Sequence, residues 1–518
     1  MTDTRRGVTY AVGMTARAVV GSLLVFGLVV VGCGDDAEVP GSKSLPVLSA
    51  LHAERGARAG IYDAEGRQVL LRGVNLNSLG DYYQDNPNLP TVIPVAEEDF
   101  REMASLGLNV VRLVLSWSLL QPERGTIDTR YFARIRQVIQ WASAAGLYTI
   151  LDMHQDAWGK AIASPPGTVC AGEREPAIGW DGAPTWATYT DGRSTCRQRG
   201  VRELAPAVSA AFENFYANRE GIQDEWIRAW AALAAEFARE PAVAGYDLFN
   251  EPHFGASLFG GAQKLAALYG RVIPALRQAE RQAGGFAHVV FFEPVILWPF
   301  GDAVPPPDFV TDDNMVFAPH NYAESITGFN TDTIEATFAQ AAADAGRYGT
   351  TFWIGEFGWF SDPPANQPRL LRYAAEEDRW RVGGAWWQWK QACGDPHSIG
   401  LPGGQPPSVL IHLHRTGCPG DHNLGLVREW VEVLSRPYVR AAPGRLTAMT
   451  SDARSARLEF RGETPTPGLA DLWVPARGSA IPQVRGTLGA EPCVTPVRGG
   501  FRVFVPVQGS YEGSVHFP

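Results

Sequence analysis

Leu248-Phe249-Asn250-Glu251-Pro252 and Trp353-Ile354-Gly355-Glu356-Phe357-Gly358 each read as a short apolar strand that closes on a glutamate. A carboxylate at the C-terminal end of a parallel strand projects into the space where β/α barrels hold ligands. The 105-residue step from Glu251 to Glu356 fits the interval between strands four and seven of an eightfold barrel. Two such carboxylates facing each other are the minimum equipment for breaking a glycosidic bond.

Outward from these stretches, strand and helix signals alternate regularly. Strands are expected at 69–75, 109–115, 147–153, 243–249, 289–292, 315–318, 351–354 and 384–389. Helices are expected at 97–106, 131–145, 226–239, 265–283, 333–348 and 370–381, the first two closed by Gly107 and Gly146 as C-terminal caps. The strand at 109–115 is almost continuously apolar, as a parallel strand covered on both faces must be. Eight β/α units predict an α/β fold, a (β/α)8 TIM barrel, with insertions. The segment 159–218 after strand three is far longer than an ordinary connection and carries Trp180, Trp186, Phe212, Phe215 and Tyr216. Together with 393–423 after strand eight it forms either a lid or a substrate wall, while the helical part at 201–216 could simply pad the barrel. Beyond Arg436-Pro437-Tyr438 the helices stop. Short alternating stretches at 457–460, 472–474, 501–507 and 514–517, between Gly/Pro turns, predict a C-terminal all-β sandwich.

Arg5, Arg6 and Arg17 precede an apolar run at 18–32, short for a membrane span but right for a signal-peptide core. Small residues before Cys33 resemble a bacterial lipobox, which makes Cys33 a lipidation candidate; ordinary signal cleavage nearby is the alternative. The predicted organisation is therefore 1–32 leader, 33–46 flexible tether, 47–440 barrel and 441–518 sandwich. The protein is expected to be secreted, or lipid-anchored in a bacterial envelope, and monomeric. Export allows disulfides. Cys170 with Cys196, in one loop, and Cys393 with Cys418, bracketing another, are the predicted pairs, which leaves Cys493 over.

A net charge of −10 argues against a nucleic-acid partner. Sixteen Trp and an aromatic share of 11% suit stacking on sugar rings or apolar ligands, or simply a large core. His412, His414 and His422 lie near Asp421 but form no coherent four-ligand set, so no metal is expected. A phosphate-binding glycine loop after strand one and a Gly-x-Ser-x-Gly elbow are both missing. Other polar residues do converge on the strand ends: Arg112, His154, Asn250, His320 and Tyr322, with Trp387 and Trp389 as a candidate stacking floor. Glu356 is the expected nucleophile, Glu251 the acid/base, and Arg112 could hold the nucleophile ionised.

The pattern over roughly 60–440 resembles glycoside hydrolase family 5, clan A. That resemblance implies Arg112, His154, Asn250, Glu251, His320, Tyr322, Glu356 and a strand-eight Trp, Trp387 ahead of Trp389, as the active-site set. Asn75-Leu76-Asn77, Asn88-Leu89-Pro90, Asp152-Met153-His154-Gln155-Asp156, Phe292-Glu293-Pro294 and Trp386-Trp387-Gln388-Trp389-Lys390 are similar to the endoglycoceramidase group within it. The resemblance implies a retaining β-glycosidase that separates oligosaccharide from ceramide at a membrane or micelle surface. It implies Asp156 on the glucose beside the scissile bond and places Asn77 in the binding set. Water is the second substrate and no cofactor is expected. An endoglucanase or β-glucosidase on the same barrel, and a non-catalytic glycolipid-binding lipoprotein, are the rival readings. An apolar wall for ceramide is expected on the loops after strands six to eight and on the sandwich-facing rim.

Overall fold

The computed structural model describes residues 47–518 apart from 310–311, 327–331 and 400–405. The expected leader, tether and Cys33 lie outside the described residues. No described helix is long and apolar enough to cross a membrane.

Eight parallel strands form the barrel: Gly73–Leu76, Val110–Ser116, Tyr148–His154, Val243–Asp247, Val289–Phe292, Met315–Phe317, Ile354–Phe357 and Gly384–Trp386. They follow one another around the ring in chain order. The ring closes between strands six and seven, where Phe317 N donates to Thr351 O at 3.1 Å and Trp353 N to Phe317 O at 2.9 Å. Strand alternation explains both the packing and the site. Val110, Ile150, Ala244, Phe291, Val316, Trp353 and Ala385 fill the barrel interior. Val111, Leu113, Leu151, Val290 and Phe292 face outward into the larger core beneath the helices. The phase that turns Val110 and Ile150 inward turns Arg112, Asp152 and His154 inward further along the same strands. An apolar floor thus passes into a polar layer at the C-terminal end.

The helices lie where the sequence periodicity puts them, with three shifted starts: Ile222–Phe237 and Gly261–Gln282 each begin four residues before expectation. The last barrel helix spans Pro363–Trp380 rather than starting at 370. Its first two residues are prolines, placed where no intrahelical N–H bond is lost.

The C-terminal region is an antiparallel sandwich, with three departures from expectation. Arg457–Pro475 is one long strand and Gly500–His516 another. Each had read as two short strands. Thr464-Pro465-Thr466-Pro467-Gly468 looks like a turn, but it is the site of a register shift within one continuous strand. Second, the strands His52–Glu54, Gly60–Tyr62 and Arg67–Val69 join this sheet through Tyr438–Pro443, so the first residues after 47 belong to the sandwich, not the barrel. Third, the sandwich packs against the barrel end opposite the catalytic rim. Tyr438 Oη and Arg440 Nη1 donate to Gly107 O, which precedes strand two, at 2.8 and 3.1 Å. Gly107 has φ +81°, and a β-carbon there would meet the Trp473 indole at 2.3 Å, so only glycine fits both demands. The sandwich therefore offers no rim to the cleft.

Disulfides join Cys170 to Cys196 and Cys393 to Cys418. Cys493 is not left over, because no described cysteine is free. Local spacing signals the two short-range pairs and carries no information about a distant one.

Candidate active site

Arg112 is the hub of the barrel mouth. It is fully buried, and its guanidinium reaches Asp247 at 2.8 Å, Glu356 at 2.9 Å, Glu293 at 3.0 Å and Asp152 at 3.1 Å. It also donates to Asn75 Oδ1 and Asn250 Oδ1. Burial opposes its charge, but the ring of carboxylates holds it firmly protonated. Burial pushes Asp247 well above the usual carboxylate range; Arg112 opposes this, and Glu293 and Asp152 add to it.

Glu356 ends strand seven. Besides Arg112 it accepts a hydrogen bond from Tyr322 Oη at 2.9 Å, so both oxygens are oriented. Glu251 follows strand four with a left-handed backbone, φ +39°. Its N–H donates to Glu293 Oε2 at 2.8 Å, and its carbonyl accepts from Gln155 Nε2 at 3.1 Å. The side chain accepts from His320 Nδ1 at 3.0 Å and lies 3.5 Å from Arg202. Withdrawal from water would raise Glu251, but His320 and Arg202 outweigh it and hold the carboxyl below its ordinary range. A Glu251 oxygen and a Glu356 oxygen lie within 4.8 Å of each other. That is the spacing of a nucleophile and an acid/base in double displacement, too close for a water to sit between two inverting carboxylates.

A second polar group flanks the pair. His154 is hydrogen-bonded to Asp152 at 2.7 Å, and its ring lies parallel to Trp387 at 5.4 Å. Asp156 is clamped between Arg202 at 2.6 Å and His397 at 3.0 Å. Burial would raise it, but these cations and His154 hold it well below the usual range. His397 is itself paired with Asp395 at 2.7 Å. Burial would lower it, but Asp395 and Asp156 push it up to about 10.

The cleft has a volume of about 280 Å³. His154, Asp156, Asn250, Glu251, Tyr322, Glu356 and Trp387 line it, as anticipated from sequence. Arg112 and His320 sit directly behind the carboxylates. Two anticipated residues do not reach the cleft. Trp389 is fully buried beyond the end of strand eight, where its Nε1 donates to Asp99 at 3.0 Å and its ring meets His414 at 4.4 Å. Asn77 is also buried and donates to Asp395 Oδ2 at 3.0 Å, so it braces the partner of His397. His414 lies 3.2 Å from Glu102, whereas His412 faces the cleft beside Phe360. The two do not converge.

Arg202, Glu293, Asp395 and His397 were not named as site residues from sequence, although Glu293 stands in the Phe292-Glu293-Pro294 motif. Glu293 had a signal, since it too closes a barrel strand. Arg202 and His397 come from the two long insertions, where no periodicity indicates direction. The insertion helix Pro206–Tyr216 buries Val208, Ala211, Phe212 and Phe215 in the barrel core and is padding. Trp180 and Arg202, earlier in the same insertion, reach the cleft edge with the guanidinium 4.3 Å over the indole. Ile326, Phe360, Pro407, Val409, Leu410 and Ile411, from the segments after strands six, seven and eight, add an apolar wall to the cleft. Part of it lies in a small three-stranded sheet at 409–426 that had read as loop.

The profile of the cellulase family, glycosyl hydrolase family 5, matches residues 62–392. Endoglycoceramidase I of Rhodococcus hoagii (strain 103S) is 31% identical over 274 residues, 51% of this chain and 51% of that protein. The chain thus matches about half the length of such curated relatives. A crystal structure of endogalactoceramidase superposes with TM-score 0.84 at 44% identity, over 91% of this chain and all of that one. Endo-glycoceramidase II from Rhodococcus sp. in complex with ganglioside GM3 gives TM-score 0.67 at 26% identity, over 88% and 99%.

Proposed function

The chain belongs to glycosyl hydrolase family 5, and on that premise we propose that it is a retaining endo-β-glycosidase that splits glycosphingolipids between glycan and ceramide. One observation carries the reading. A single cleft is lined by two kinds of surface, the ionised, hydrogen-bonded groups around Glu251 and Glu356 and the apolar side chains of Ile326, Phe360, Pro407, Val409, Leu410 and Ile411. A glycolipid is a ligand with those two halves; a polysaccharide would leave the apolar wall facing water. The similar structures, an endogalactoceramidase and an endo-glycoceramidase II bound to ganglioside GM3, point the same way.

In this reading Glu356, held by Arg112 and Tyr322, attacks the anomeric carbon. Glu251 protonates the leaving ceramide oxygen and then removes a proton from water. Arg112 and the Gln155 carbonyl fix the Asn250 amide beside Glu251, where the sugar 2-hydroxyl approaches. Asp156, clamped by two cations, accepts from a hydroxyl of the sugar at the scissile bond, and Trp387 stacks beneath it. We further propose that the enzyme works outside the reducing cytoplasm, at a lipid surface; the disulfides Cys170–Cys196 and Cys393–Cys418 support this.

The test compares one glycan with and without its lipid. Binding energy from the remote lipid half is used at the reacting centre, so kcat/KM should fall at least tenfold on the free oligosaccharide or a short-alkyl glycoside. Equal efficiency, or sugar release from cellulose or mannan, would overturn the ceramide assignment in favour of a polysaccharidase or β-glucosidase.

A further inference from the structure

Behind the two carboxylates lies a third, Glu293, which double displacement does not require. It ends strand five, is 2% exposed, and is reached by three partners. Arg112 Nη2 donates to Oε1 at 3.0 Å, His320 Nε2 lies 3.2 Å from the same oxygen, and the Glu251 N–H donates to Oε2 at 2.8 Å. The contact with His320 is an ion pair rather than an aligned hydrogen bond. The other ring nitrogen of His320 faces Glu251 at 3.0 Å. Gly355 makes room for this ring, since a β-carbon there would come within 2.8 Å of Nε2.

We infer that Glu293 is the positioning residue of the acid/base: it fixes the strained backbone of Glu251 and retains, on His320, the proton that Glu251 delivers. The inference rests on the glycosidase reading above. Two observations support it independently. A non-glycine residue at φ +39° is unfavourable by itself, and the Glu293 carboxylate supplies the hydrogen bond that holds this backbone in place. Secondly, the imidazole of His320 faces Glu251, Glu293 and Glu356, whose charges outweigh the cost of burying an imidazolium and raise its affinity for a proton. The resting state is then Glu251 carboxylate, His320 imidazolium and Glu293 carboxylate. As the glycosidic bond to ceramide breaks, the Nδ1 proton moves to Glu251 Oε1 and a proton passes from Glu251 to the leaving alkoxide. Imidazole is left neutral and ceramide leaves as the alcohol. When water attacks the glycosyl ester, Glu251 takes its proton and His320 is recharged, so the cycle closes with no net proton change on the protein.

The remaining titratable groups around this relay are Arg112, Asp152 and Asp247 beside Glu293, and Arg202 and Asp156 beside Glu251. Glu293→Gln leaves them in place and removes one negative charge from beside the stored proton. That proton should then be lost at lower pH. The alkaline limb of kcat/KM on a glycolipid, whose alkoxide needs a proton, should move acidward by about one pH unit or more. The limb measured on a dinitrophenyl β-glycoside, whose leaving group needs none, should not move. Glu293→Asp keeps the charge and should keep the wild-type limb with a reduced kcat; it carries the test if the glutamine variant fails to fold. An unmoved limb in Glu293→Gln, an equal shift on both substrates, or an acidward shift in Glu293→Asp as large as one pH unit would overturn the inference. Failure of the glycosidase reading is separate, because the wild-type protein would then turn over neither substrate.

Discussion

Arg112 Nη1 donates to Glu356 Oε1 at 2.9 Å inside a site where Arg112 has no exposed surface. One guanidinium thereby orients the proposed nucleophile and neutralises a nest of acids. Lysine keeps the charge but loses the planar fork. Arg112→Lys should fold with a lowered Tm and lose at least 10²-fold in kcat. Arg112→Met removes the cation that Asp152, Asp247, Glu293 and Glu356 share, at a cost of about 3–5 kcal/mol. It should yield little folded protein. Thermal melts and kinetics of both variants check this; wild-type activity in Arg112→Met would refute the hub.

The acid/base assignment of Glu251 separates leaving groups. Glu251→Gln should fail on glycolipid, yet still form the glycosyl ester from an activated aryl glycoside. Azide should restore turnover there, because an attacker that needs no base replaces water. The azide product should be the β-anomer; an α-azide would mean inversion.

The strand-eight tryptophans should behave differently although only one residue separates them. Trp387→Ala removes the floor beside His154 and should weaken glycoside binding at least tenfold. Trp389→Phe loses a buried hydrogen bond to the Asp99 carboxylate, worth about 1.5–3 kcal/mol, and should lower Tm with kinetics unchanged. A kinetic defect confined to Trp389→Phe would reverse the placement.

His397 predicts a pH dependence of stability. Its folded pKa is raised to about 10, above an ordinary value of about 6.5. The stabilisation it gives is therefore complete below about pH 6.5 and is lost as pH rises towards 10. His397→Gln should flatten the fall in Tm between pH 6.5 and 10 relative to wild type. Parallel curves across that window would contradict the assignment.

How far the sequence discloses this site follows from how each residue is positioned. Residues in regular strands are readable, because alternation that turns Ile150 into the barrel must also turn His154 towards its mouth. The same logic ends at the last regular residue. Strand eight stops at Trp386, so alternation no longer says that Trp387 enters the cleft while Trp389 packs on Asp99. Arg202 and His397 are delivered by insertions whose paths depend on disulfides and tertiary packing. The sandwich shows the opposite failure: Pro465 and Pro467 gave a correct local signal for a break in pairing, but a bulge within one strand and a turn between two share that signature. Asn77, read as a ligand-facing residue, braces Asp395 instead, since a buried amide at a strand end serves either purpose.

Double displacement by Glu251 and Glu356 at the glycan–lipid bond must release the glycan with its anomeric configuration retained. Proton NMR of the anomeric region during hydrolysis of a glycosphingolipid tests it most directly. The prediction is that the intact oligosaccharide is released first as the β-anomer, together with ceramide, and mutarotates only afterwards. The initial appearance of the α-anomer, or of monosaccharides trimmed from the non-reducing end, would contradict it.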